Sequence, residues 1–144
     1  MDNQTFQHLL NLKKEFTSSI ILPNQQAQKI YDLTSISSLD KFHLDYDRRG
    51  TLELKYKTQL RASAYKLHPM VRLEVNSPPH INPDGTQLSR NHIHIYDEIY
   101  GDSVAYELLE ILPQLNTNFS SINIFTNFCK YCNITINRDI QEVL

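Results

Sequence analysis

From position 42 onward the chain alternates apolar and polar residues, and this pattern leaves little choice of fold. Phe42, Leu44 and Tyr46 alternate with His43 and Asp45; Leu52, Leu54, Tyr56, Thr58 and Leu60 alternate with Glu53, Lys55, Lys57, Gln59 and Arg61. Side chains two apart on a strand share a face, so each stretch predicts one buried and one polar side. Arg49-Gly50 offers a hairpin turn between them. Val71, Leu73 and Val75 continue the pattern against Arg72, Glu74 and Asn76, and Ile93 and Ile95 against His92, His94 and Tyr96. The prediction is an antiparallel meander of about four strands.

Around the meander the spacing is helical. Phe6, Leu9, Leu10, Leu12 and Phe16 predict an amphipathic helix over residues 5–16, capped by Asp2 or Asn3. Pro23-Asn24 stops it, and residues 25–33 read as a second, short helix. Residues 103–112 read as a helix with Val104, Leu108, Ile111 and Leu112 inward, ended by Pro113, and residues 119–131 as another. The fold class is therefore α+β: an N-terminal helix, the meander sheet and C-terminal helices. With 144 residues the chain matches one domain, 1–144, around one core.

Composition narrows the function classes. An apolar fraction of 40% with 21% charged residues is a globular balance, and no segment approaches the roughly 20 apolar residues of a membrane helix. Met1-Asp2-Asn3-Gln4 lacks the basic start of a secretory leader, so a cytoplasmic location is expected. A net charge of −2 argues against both a basic nucleic-acid binder and an acidic mimic of DNA, and no extended nucleic-acid surface is expected. Any such role is local, and charge is locally uneven: Arg48, Arg49, Lys55, Lys57, Arg61, Lys66 and Arg72 crowd one stretch. With only three glycines there is no phosphate-cradling loop, and neither GxSxG nor HExxH occurs.

His92 and His94 project from one strand face while Ile93 takes the other, and His80 sits in a loop with three prolines, Ser77-Pro78-Pro79-His80-Ile81-Asn82-Pro83-Asp84-Gly85. Antiparallel pairing brings that loop back toward the histidines, so His80, His92 and His94 are candidate ligands of one zinc ion, with Asp84, Asp102, a cysteine or water as the fourth. Two other readings stay open. In one, His92 and His94 occupy the wet face of the sheet and His80 caps a loop. In the other, two imidazoles serve as acid and base, Lys57, Arg61 or Arg72 holds a phosphate and Tyr96 donates a hydrogen bond, as in a small ribonuclease. Cys129 and Cys132, three apart, share a stripe with Phe119, Ile122, Phe125 and Phe128, so both thiols read as core.

The run Phe42-His43-Leu44-Asp45, the segment Pro79-His80-Ile81-Asn82-Pro83-Asp84-Gly85, His92-Ile93-His94-Ile95-Tyr96, Tyr100-Gly101-Asp102 and Phe128-Cys129-Lys130-Tyr131-Cys132 together resemble a family of small phage and prophage proteins catalogued as a domain of unknown function. The PHxNPDG loop followed by HxHxY is its most specific part, and His80, Asp84, His92, His94 and Tyr96 match it. Ile99 stands where the family's glycine is expected. The resemblance implies an anti-CRISPR protein that binds the Cas9 effector inside the bacterial host cell, with a structural zinc. The alternative is a histidine-based or metal-dependent nuclease acting on RNA or DNA.

Overall fold

The structure, a computed structural model, describes residues 1–23, 27–49 and 55–142. Helix α1 (Asn3–Asn11) opens the chain, capped by the Asp2 carboxylate, whose oxygen accepts the Thr5 N–H at 2.7 Å. Its inward residues are Phe6, Leu9 and Leu10. The helix stops short of the predicted residue 16: Leu12 is already extended, and residues 14–16 form strand β1 (Lys14–Phe16). The reason is Lys14. Its ammonium lies fully buried and donates to the carbonyls of Leu10, Leu12 and Cys132 at 2.9, 2.8 and 2.8 Å, so it closes the helix end from the core side.

Strand β2 (Ile20–Leu22) follows, and then β3 (Gln28–Ser35) where a helix over 25–33 was expected. Tyr31, Leu33 and Ser35 are buried between exposed Ile30 and Asp32, a period of two. Seven residues of β3 pair with β4 (Lys41–Asp47), and β1 pairs along its other edge. These ladders outweigh the three-residue spacing of Ala27, Ile30 and Leu33 that mimics a helix. Strands β5 (Tyr56–Ala62), β6 (Val71–Val75) and β9 (His92–Ile95) complete the predicted meander, each antiparallel to its neighbour. Gly50, Leu52, Glu53 and Leu54, and with them the turn between the first two strands, lie outside the described residues.

The meander is half of a larger sheet. Strand β10 (Ala105–Glu107) adds to β9 where a helix from Ser103 was expected, and the helix α2 (Leu108–Ile111) is a single turn after it. Helix α3 (Ser121–Tyr131) is followed by β11 (Ile134–Thr135), which pairs parallel to β1. The eight-stranded order is β10-β9-β6-β5-β4-β3-β1-β11. Two short strand pairs stand beside it: β7 (His80–Ile81) with β8 (Gln87–Leu88), and β2 with β12 (Ile140–Glu142).

One sheet face carries the core. Phe125 of α3 packs its ring against Phe16, Tyr31 and Tyr46, and Phe6 of α1 stacks on Tyr96 at 5.7 Å. Cys129 and Cys132 are free, buried thiols in this core, as expected, whereas Phe119 and Ile122 are partly exposed and Ile124 takes the inward place. Among the described residues no helix is long and apolar enough to cross a membrane.

The other face is polar, and its register sets two rows across the strands: Asp45, Gln59, Arg72 and His94 in one, Asp47, Lys57, Glu74 and His92 in the next. At the sheet edge, the Asn82 side chain acts as a substitute strand for β10. Its amide donates to the Ala105 carbonyl at 2.9 Å and its carbonyl accepts the Ala105 N–H at 2.8 Å. An open edge invites pairing with other chains. Asn82→Ala is therefore expected to lower stability by about 1–3 kcal/mol, two hydrogen bonds' worth, and to promote self-association; thermal unfolding and size-exclusion chromatography check both.

Candidate metal centre

The centre is built from facing strands. Arg72 and Glu74 leave β6 on the polar side because Val71, Leu73 and Val75 take the core side, and His92 and His94 leave β9 the same way around Ile93. Register puts Glu74 opposite His92 and Arg72 opposite His94. Although they stand on the polar face, His92 and His94 are only 1% and 2% exposed. The loop between β6 and β9 covers them: its β7–β8 hairpin lays the His80 ring 5.6 Å from that of His92 and 4.6 Å from that of His94. A tight turn holds the hairpin, with Gly85 at φ +90° and its N–H on the Asn82 carbonyl at 2.9 Å.

Hydrogen bonding fixes both imidazoles. His92 Nδ1 lies 2.8 Å from the Ser89 carbonyl oxygen and His94 Nδ1 2.8 Å from that of Asp102. A carbonyl only accepts, so each Nδ1 carries a hydrogen. Both Nε2 atoms then point at one carboxylate oxygen, Glu74 Oε2, at 3.0 and 3.1 Å. Hydrogen bonds from His92 and His94 hold the Glu74 carboxyl well below the usual carboxylate range, burial opposing them, with the Arg72 charge adding to the effect. Burial works against a charged His92, yet the bonds to Glu74 and the Ser89 carbonyl outweigh it and raise its pKa above the ordinary histidine value.

This arrangement has two chemical solutions. Either both imidazoles are protonated around a single carboxylate, with Arg72 Nε a further 4.0 Å from the same oxygen, or their Nε2 lone pairs and the carboxylate share a cation. The same three groups could serve either. The ligand atoms of Glu74, His92 and His94 all lie within 4.8 Å of one another, close enough to hold a metal ion. A backbone carbonyl behind each Nδ1–H is the support that orients metal-bound histidines.

The sequence-derived ligand set is thus partly brought together. His92 and His94 converge as expected, and the acidic member beside them is Glu74, which sequence reasoning did not single out. His80 stands against the pair, but its Nε2 donates to the Ser103 carbonyl at 2.7 Å. Asp84 is exposed and its Oδ1 accepts the Thr86 N–H at 2.9 Å, closing its own turn, so it does not join the group. Asp102 gives its carboxylate to Arg72 in an ion pair. The cysteines lie in the core, on the side of the sheet that Ile93 faces. Tyr96 donates to the Met1 carbonyl at 2.6 Å and anchors the N-terminus. Arg61 is paired with Asp45 at 2.6 Å.

A family model described as "Family of unknown function (DUF6978)" matches residues 1–134. The chain belongs to that family. No curated protein and no solved structure matches it. The match takes in the whole centre of this DUF6978 protein, from β6 through the hairpin to β10, together with Lys14 and α3.

Proposed function

We propose that the DUF6978 protein is a metal-stabilised binding protein rather than an enzyme. The observation that carries this is the pair of imidazoles with both Nδ1–H groups spent on backbone carbonyls and both Nε2 atoms aimed at Glu74 Oε2. Glu74, His92 and His94 would hold one zinc ion, which supplies a bond between β6 and β9 and so adds its binding free energy to folding. Near-complete burial of both imidazoles beneath the hairpin speaks against their use as an acid–base pair on a large substrate, which needs hydrogen-bond reach to the reacting atoms.

The partner follows from the resemblance to phage proteins: a Cas9 effector, bound stoichiometrically. A net charge of −2 supports docking on a protein surface over imitation of DNA along a basic channel. Purified protein is expected to contain close to one equivalent of zinc by elemental analysis, and to abolish Cas9 cleavage of DNA at close to one equivalent of inhibitor without degrading nucleic acid. Metal-free protein overturns the centre; undiminished cleavage overturns the partner. Degradation of RNA or DNA by trace protein overturns the non-enzymatic reading in favour of a nuclease.

A further inference from the structure

The polar face holds a trough of about 470 Å³ whose walls include Asp47, Arg49, Lys55, Lys57 and Glu74. A neighbouring depression of about 460 Å³ shares Asp47, Arg49 and Lys57 and runs on to Arg61 and Lys66. Glu74 belongs both to this trough and to the trio with His92 and His94. Since the imidazoles are 1% and 2% exposed while the Glu74 side chain is 18% exposed, the way from solvent to the trio passes along the trough wall.

Charge in the trough is unevenly spent. The Asp47 carboxylate is taken by the Arg49 guanidinium, at 3.0 Å from Nε and 2.8 Å from Nη2, and the Glu74 carboxylate is taken by the imidazoles. Lys55 and Lys57 are exposed and, among the described residues, make no ion pair. Two ammonium groups therefore face a volume suited to a small ligand, beside carboxylates that are already neutralised. Three protein donors also leave one position of a four-coordinate ion for an outside ligand.

We propose that the trough binds a phosphate oxyanion, with Lys55 and Lys57 neutralising it and one of its oxygens completing the coordination of the ion at Glu74, His92 and His94. This rests on the metal reading above. The shared chemistry is the phosphate group; a free phosphate and a phosphodiester of single-stranded nucleic acid are its two sources. For the second, the contact is confined to a few phosphates, as a near-neutral protein requires.

Cobalt(II) loaded in place of zinc reports on the proposal through its visible absorption, without any assay of activity. Inorganic phosphate and, separately, a short single-stranded oligonucleotide are titrated in. The expected result is a saturable spectral change with at least one of the two, and the one that binds at the lower concentration identifies the source. The variant carrying Lys55→Gln and Lys57→Gln should keep its cobalt and its thermal stability while binding roughly tenfold more weakly, since two exposed charge contacts together approach the 1.4 kcal/mol of a tenfold change. Failure to take up cobalt overturns the metal reading and this proposal with it. Uptake without spectral response to either probe, or equal binding by the lysine variant, overturns the phosphate proposal alone.

Discussion

Replacing Lys14 with methionine is expected to cost the fold about 3 kcal/mol, one of the largest single-residue losses in this chain. Methionine has similar length and no charge, so the three carbonyls of Leu10, Leu12 and Cys132 that receive the ammonium lose their donor inside the core. Water cannot replace it, because Lys14 is fully buried. The ammonium also sits 4.8 Å over the Phe42 ring, a further attraction that methionine lacks. Burial pulls the pKa of Lys14 down to about 8, so at neutral pH the residue remains mostly charged and the three acceptors are satisfied. In urea denaturation the midpoint should fall by roughly 1–2 M. A loss below roughly 1 kcal/mol would show that the helix ends find other donors.

Glu74→Ala should have an effect of similar size by a different route. Its removal leaves His92 Nε2 and His94 Nε2 without their common acceptor and takes a nearby countercharge from Arg72, and taking one partner from a buried charged group costs about 3–5 kcal/mol. It also reduces the metal trio to two donors, so zinc content should fall to background. Glu74→Gln separates the two effects: the amide oxygen still accepts a hydrogen bond, so more of the stability should survive, while metal affinity drops by ~100-fold or more once the anionic ligand is gone. Denaturation with and without a chelator reads out the difference. If the unmodified protein is equally stable in zinc and in chelator, the metal contributes nothing to the fold.

These two residues also show where sequence reasoning succeeds and where it stops. The meander was legible because each of its strands buries one face in the core and leaves the other polar, which forces a period of two. His92 and His94 were legible for the same reason. Glu74 was available on the same polar side of β6, but only the pairing of Glu74 with His92 distinguishes it from Arg72 or Glu53, and register is a tertiary fact. Asp84 looked like a ligand because it follows His80 closely; its carboxylate is used by the turn that places His80. Lys14 was hidden by its type, since a lysine between helical positions reads as surface. Its acceptor on Cys132 lies 118 positions away, beyond any local pattern. β3 and β10 were hidden by short apolar spacings that suit a helix until a neighbouring strand offers a ladder.

The far edge of the large sheet has a consequence for biosynthesis. Strand β1, close to the start of the chain, is hydrogen-bonded in parallel to β11, which follows α3. During translation the meander strands leave the ribosome before α3 and β11 exist, so the part of their apolar face that α3 covers stays open and β1 has an open side. Closure of the core waits for the last helix to be made. Until then the nascent chain displays uncovered apolar sheet surface, the kind that chaperones hold and that rapid synthesis turns into aggregates.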